Sequence, residues 1–94
     1  MFMNISSIDD IENLIKTDEL MLLKFDNKIS KYNDYFNSME LKVINIVDEE
    51  IISFYDIETL PTILVYKNKN LLDTIQGFYT KSILIKKILN IIGE

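Results

Sequence analysis

No cysteine occurs in the 94 residues, and no histidine, tryptophan, arginine or alanine. Without cysteine there is no thiolate nucleophile, no resolving thiol and no disulfide, so thiol–disulfide exchange has no chemistry to run on. Without cysteine or histidine a zinc or iron–sulfur site lacks its usual ligands. A serine nucleophile would lack its usual base. Proline occurs once and glycine twice, too few for a glycine-rich phosphate loop and against a disordered chain. No apolar run approaches the ~18 residues of a membrane-spanning helix. The first residues carry no basic segment ahead of a long apolar one, so no signal peptide is expected. These absences predict no cofactor, no metal, no membrane partner and no enzyme activity of the redox type, in a cytoplasmic setting. Missing disulfides leave the redox compartment open.

What is present describes one small globular domain over residues 1–94, with 48% hydrophobic and 27% charged residues. Isoleucine, lysine and asparagine are crowded, a bias of AT-rich coding. The net charge of −5 disfavours nucleic acid as a partner. Residues 1–60 hold thirteen acids against five lysines, and residues 61–94 two acids against five lysines. The acid groups Asp9-Asp10-Glu12 and Asp48-Glu49-Glu50 lack the layout of a calcium loop and read as helix N-termini, where negative charge meets the positive dipole end.

The elements follow from periodicity. Phe2 to Ile5 reads as a short strand. Ser7 to about Thr17 reads as an amphipathic helix with Ile8, Ile11, Leu14 and Ile15 on one face. Leu20 to Phe25 is an apolar run broken by Lys24, fit for a central strand; Lys24 is expected to pair with a carboxylate or to snorkel. A short helix is expected before a strand over Leu41 to Val47. Asp48 is placed to cap a helix over Glu49 to Tyr55. Ile63 to Tyr66 is a strand buried on both faces, led by Pro61 at its start. Lys67 to Asn70 is a hairpin turn, and Leu71 to Gln76 the returning strand. Thr80 caps a last helix with a wide apolar face, and Gly93 is placed to end it.

Tyr55-Asp56-Ile57-Glu58-Thr59-Leu60-Pro61-Thr62 resembles the thioredoxin segment Y-x-I-x-x-[IV]-P-T, with Leu60 a mild departure. The similarity continues through Tyr66-Lys67-Asn68, then Gly77 and an amphipathic last helix. It implies an α/β thioredoxin-like fold, in the order β-α-β-α-β-α-β-β-α, with a central mixed sheet flanked by helices. It also implies a cis-proline at Pro61. Where redox-active relatives carry W-C-x-x-C, this chain has Ile29-Ser30-Lys31-Tyr32-Asn33. Where they carry V-D-F with a buried aspartate, it has Leu23-Lys24-Phe25.

By that resemblance, the surface beside the proline holds extended peptide by backbone pairing. The matching positions are Ile29, Ser30, Tyr32, Thr59, Leu60, Pro61, Gln76, Gly77 and Phe78. The expected function is a redox-inactive adaptor or assembly subunit that binds a protein or peptide partner there. A self-associating structural subunit, hence a homo-oligomer, is the alternative. A glutathione-binding, transferase-like module is a weaker one, because the acid–serine pair it needs would fall at Gln76-Gly77.

Overall fold

A computed structural model describes residues 2–4, 7–17, 19–26 and 42–93. Five strands form one mixed sheet: β1 (Phe2–Asn4), β2 (Leu20–Phe25), β3 (Val43–Ile46), β4 (Thr62–Lys67) and β5 (Asn70–Gln76). Their spatial order is β1-β3-β2-β4-β5. β3 runs parallel to β1 and β2, whereas β4 runs antiparallel to both β2 and β5. The helices are α1 (Ile8–Thr17), α2 (Glu49–Phe54) and α3 (Lys81–Ile92). The expected second helix and the start of the strand drawn from Leu41 lie outside the described residues.

Strand alternation sorts the side chains into two cores. Met21, Leu23, Phe25, Ile44, Ile46 and Leu64 meet Ile11 and Ile15 of α1 and Ile51 of α2 on one face. Leu22, Val43, Ile63, Val65 and Ile75 meet Leu84 and Ile88 of α3 on the other. β2 and β3 are buried on both faces, hence their apolar runs. Each buried aliphatic side chain contributes roughly 1.5–3 kcal/mol of transfer free energy. β5 is an edge strand, with only Ile75 buried and Leu71 and Leu72 about half exposed. Among the described residues no helix is long and apolar enough to cross a membrane.

The helix ends carry their own chemistry. The backbone N–H of Asp10 donates to Ser7 Oγ at 3.4 Å, which caps α1. Thr80 takes the capping position of α3, but its side chain makes no capping hydrogen bond. Gly93 ends α3 with right-handed backbone, φ −70°, so its freedom to turn left-handed is not used. Lys67 Nζ instead donates to the carbonyl of Ile92 at 3.3 Å, a cation at the negative helix end.

The apolar face expected for α3 is narrower than its sequence suggests. Leu84 and Ile88 are fully buried, while Ile83 and Leu89 stay about half exposed on the flanks. The hairpin is tighter than the four-residue turn expected: Lys67 and Asn70 pair as strand residues, leaving Asn68 and Lys69 at the tip. Both have positive φ, 51° and 74°, the signature of a type I′ turn that matches strand twist. Asparagine tolerates this conformation, but lysine is strained in it. Lys69→Gly is therefore expected to stabilise the fold by about 0.5–1 kcal/mol. Urea unfolding of the two proteins measures it, and an unchanged midpoint would show that the strain at Lys69 is relieved elsewhere.

Candidate functional site

The site is built from α2 forward. Asp48 Oδ1 accepts from the N–H groups of Glu50 at 2.9 Å and Ile51 at 3.4 Å, satisfying two donors that the first turn leaves orphaned. The far end of α2 closes with a paired reversal. Ile57 N–H donates to the Ile52 carbonyl at 3.2 Å and Asp56 N–H to the Ser53 carbonyl at 3.1 Å. Asp56 supplies the left-handed residue, φ 56°, that this Schellman motif requires. Ile57 thereby comes back over Ile52, the hydrophobic contact that accompanies the motif.

The chain then runs through Thr59 and Leu60 to Pro61, with a cis peptide bond between the last two. Thr62 Oγ1 donates to the Thr59 carbonyl. Gly77 N–H donates to the Pro61 carbonyl at 2.9 Å, directly beyond the Thr62–Gln76 strand pair. Gly77 has φ 88°, where a side chain is strained, although a Cβ there would meet nothing within 4 Å. These bonds bring Thr59, Leu60 and Pro61 beside Gln76, Gly77 and Phe78, six of the nine positions singled out in the sequence. Ile29, Ser30 and Tyr32 lie outside the described residues.

Exposure divides the six. Pro61 is buried, Leu60 and Gly77 are half-buried, and Thr59 and Gln76 are exposed. Phe78 is 69% exposed, the most exposed large apolar side chain described. Its neighbour Tyr79 turns inward against the α3 core, with Lys87 Nζ over its ring at 4.9 Å. Beside Leu60 a groove of about 250 Å³ opens, lined by Val47, Glu49, Ile52, Ser53 and Ile57. The sequence reading passed over this groove. Its signal was the pair Ile52 and Ile57, five residues apart across a helix end, which the reversal at Asp56 brings together. Among the described residues no three metal-ligating side chains form a group.

Solved thioredoxins share this fold. Mitochondrial thioredoxin 3 of Saccharomyces cerevisiae superposes with a TM-score of 0.79 at 15% identity, over 95% of this chain and 94% of that one. Trypanosoma brucei brucei thioredoxin gives 0.76 at 19% identity, over 100% and 93%. Plasmodium falciparum thioredoxin gives 0.73 at 22%, over 96% and 97%. The fold is thioredoxin-like. Identities this low speak for the fold alone, and no protein-family model or curated protein matches the chain. A thioredoxin fold without cysteine lacks the nucleophile for disulfide exchange.

In this thioredoxin fold the middle strand holds an unusual group. Lys24 is 0% exposed, so it pairs rather than snorkels. Its Nζ donates to Asp26 Oδ2 at 3.4 Å and to Asn45 Oδ1 at 3.3 Å, its neighbour across the parallel β2–β3 register. Burial lowers the Lys24 pKa from its ordinary value, and the charge and hydrogen bond of Asp26 oppose the shift. Removing the cation alone takes its charge partner from a buried carboxylate. Lys24→Met is therefore expected to cost about 3 kcal/mol, and the double change with Asp26→Leu to recover most of that. A double-mutant cycle by urea unfolding checks this; additive losses would mean that the pair is not coupled.

On the opposite face, Tyr55 packs at 5.4 Å from the Phe25 ring and its hydroxyl donates to Glu12 Oε1 at 2.8 Å. Burial, then Glu12, raises the Tyr55 pKa above its ordinary range; burial and Glu12 raise Tyr66 as well. The folded state holds these protons where the unfolded chain has released them. Their stabilisation is present below the unfolded pKa of about 10 and is lost as pH rises through the folded values. Tyr55→Phe is expected to cost about 1.5 kcal/mol at neutral pH and to flatten the alkaline fall. Equal alkaline slopes in the two proteins would remove Tyr55 as its source.

Proposed function

We propose that this chain is a redox-inactive, non-catalytic binding domain that holds an extended protein segment against its proline-loop face. The observation that carries the reading is the joining of residues 59–61 to residues 76–78 by the Gly77–Pro61 hydrogen bond. That bond ties the segment bearing an exposed aromatic, Phe78, to the loop whose Leu60 lines the groove. Apolar surface flanking a fixed backbone is what an extended ligand needs. Main-chain pairing supplies affinity, and pockets on either side read alternate side chains. The missing cysteine supports binding without turnover, since the partner would be held and not reduced.

The test is a titration of the isotope-labelled chain with pools of extended octapeptides, followed amide by amide in NMR spectra. Shifts are expected to concentrate at residues 59–61 and 76–78. Phe78→Ser, a change at an exposed position, is expected to weaken binding about tenfold, or 1.4 kcal/mol, with the circular dichroism spectrum unchanged. Shifts confined to the β5 edge or to α3, indifferent to Phe78→Ser, would overturn the reading.

A further inference from the structure

The groove beside Leu60 has a charge pattern as well as a shape. We propose that it selects an extended segment with one apolar anchor side chain flanked by lysine or arginine. This rests on the proline loop being the binding face, because Leu60 belongs to both.

The floor comes first. Val47 is 43% exposed, and Ile52, Ile57 and Leu60 are half-buried around the same groove. Its volume of about 250 Å³ exceeds the ~150 Å³ apolar cavity that accommodates a benzene ring. One aliphatic or aromatic anchor therefore fits with room for solvent.

The rim decides the flanks. Between Lys42 and Lys67 the chain has five acids and no lysine. Asp48 is engaged in capping α2. Glu49, Glu50, Asp56 and Glu58 are all exposed, and among the described residues none of the four pairs with a cation. Glu49 lines the groove, on the same side of α2 as Ile52 and Ser53. Asp56 and Glu58 bracket Ile57 in the chain, and Glu58 lies two residues before Leu60. A segment seated on this floor therefore passes the Glu49 carboxylate on the α2 side, and the exposed Asp56 and Glu58 adjoin the lining residue Ile57 in the loop. Each exposed carboxylate discriminates weakly, by about two- to fivefold. Several acting in one direction, none of them ion-paired among the described residues, add up to selection by charge and to faster capture of basic segments.

Four labelled octapeptides test this against the intact chain: one leucine anchor flanked by lysines, by serines or by glutamates, and a lysine-flanked peptide with serine in place of the anchor. Binding is read by fluorescence anisotropy at about 50 mM and about 500 mM salt, where the screening length falls from about 14 Å to about 4 Å. The lysine-flanked leucine peptide is expected to bind at least tenfold tighter than the glutamate-flanked one at low salt, and within about twofold of it at high salt. The peptide lacking the anchor is expected to lose most of its affinity. The double change Glu49→Gln and Glu58→Gln, at exposed positions, is expected to weaken the lysine-flanked peptide about four- to tenfold and the serine-flanked one by no more than about twofold. Equal affinities for all three flanks, with amide shifts still at residues 59–61, would overturn charge selection and leave the binding face standing. Failure of every peptide to bind would overturn both.

Discussion

The six-residue antiparallel pairing of β2 with β4 joins the parallel half of the sheet to its hairpin half. Every other element depends on that seam. Its register sets Phe25 opposite Thr62, so the end of β2 lies against the start of β4, where the proline loop enters. Both strands are interior to the sheet, flanked by β3 and β5, and helices cover the two faces. A residue there has no route to solvent along the sheet. That is why Lys24 is fully buried and must find Asp26 and Asn45 within the protein, while its stem shares a face with Leu22, Val43 and Ile63. A buried pair of this kind is weak evidence for stability, since apolar residues of similar size do as well. It does bind β2 to β3 by side chains as well as backbone, just below the site.

Much of this fold was legible in the chain. An apolar run with one proline ahead of it marks β4, because a residue without an N–H cannot sit inside a central strand. Ile11 and Ile15 mark α1, because their spacing selects a helical face. Periodicity reports direction, however, and not the extent of cover. α3 has seven apolar residues in a wide arc, yet it lies over a sheet whose outer strand β5 offers only Ile75, so Ile83 and Leu89 stay at the margin. Gly93 ends α3 as expected, in right-handed backbone, and among the described residues the left-handed ones besides Gly77 are Asp56, Asn68 and Lys69. Only local hydrogen bonding distinguishes such positions, and no glycine marks them.

The site was legible in part for the same reason. Pro61 and Gly77 announce themselves by type, and a resemblance spanning the loop joined them. The groove did not, because Val47, Ile52, Ile57 and Leu60 each look like ordinary core residues. Ile52, Ile57 and Leu60 pack on the core yet leave a groove open beside the exposed Val47, because α2 is short, six residues, and reverses at Asp56. Ile51 takes the inward position of that helix, and the next residue, Ile52, is left for the groove. A longer helix would have carried Ile57 away from Ile52 and closed no pocket.

Charge follows the same geography. The acids of residues 48–58 surround the groove's flank, while Lys81, Lys86 and Lys87 are exposed on α3 across the sheet. The two sets belong to elements on opposite faces of the sheet, and among the described residues no ion pair joins them. Among the described residues, the stretch from Asp48 to Glu58 is therefore more acidic than the net charge suggests. Catalytic thioredoxin chemistry asks for a thiolate held beside such a loop; here the loop is retained without the thiol. A carboxylate-rimmed apolar groove adjoins it, the surface on which the proposed recognition rests. Recognition of that kind is strongest where the ligand brings both the anchor and the opposite charge.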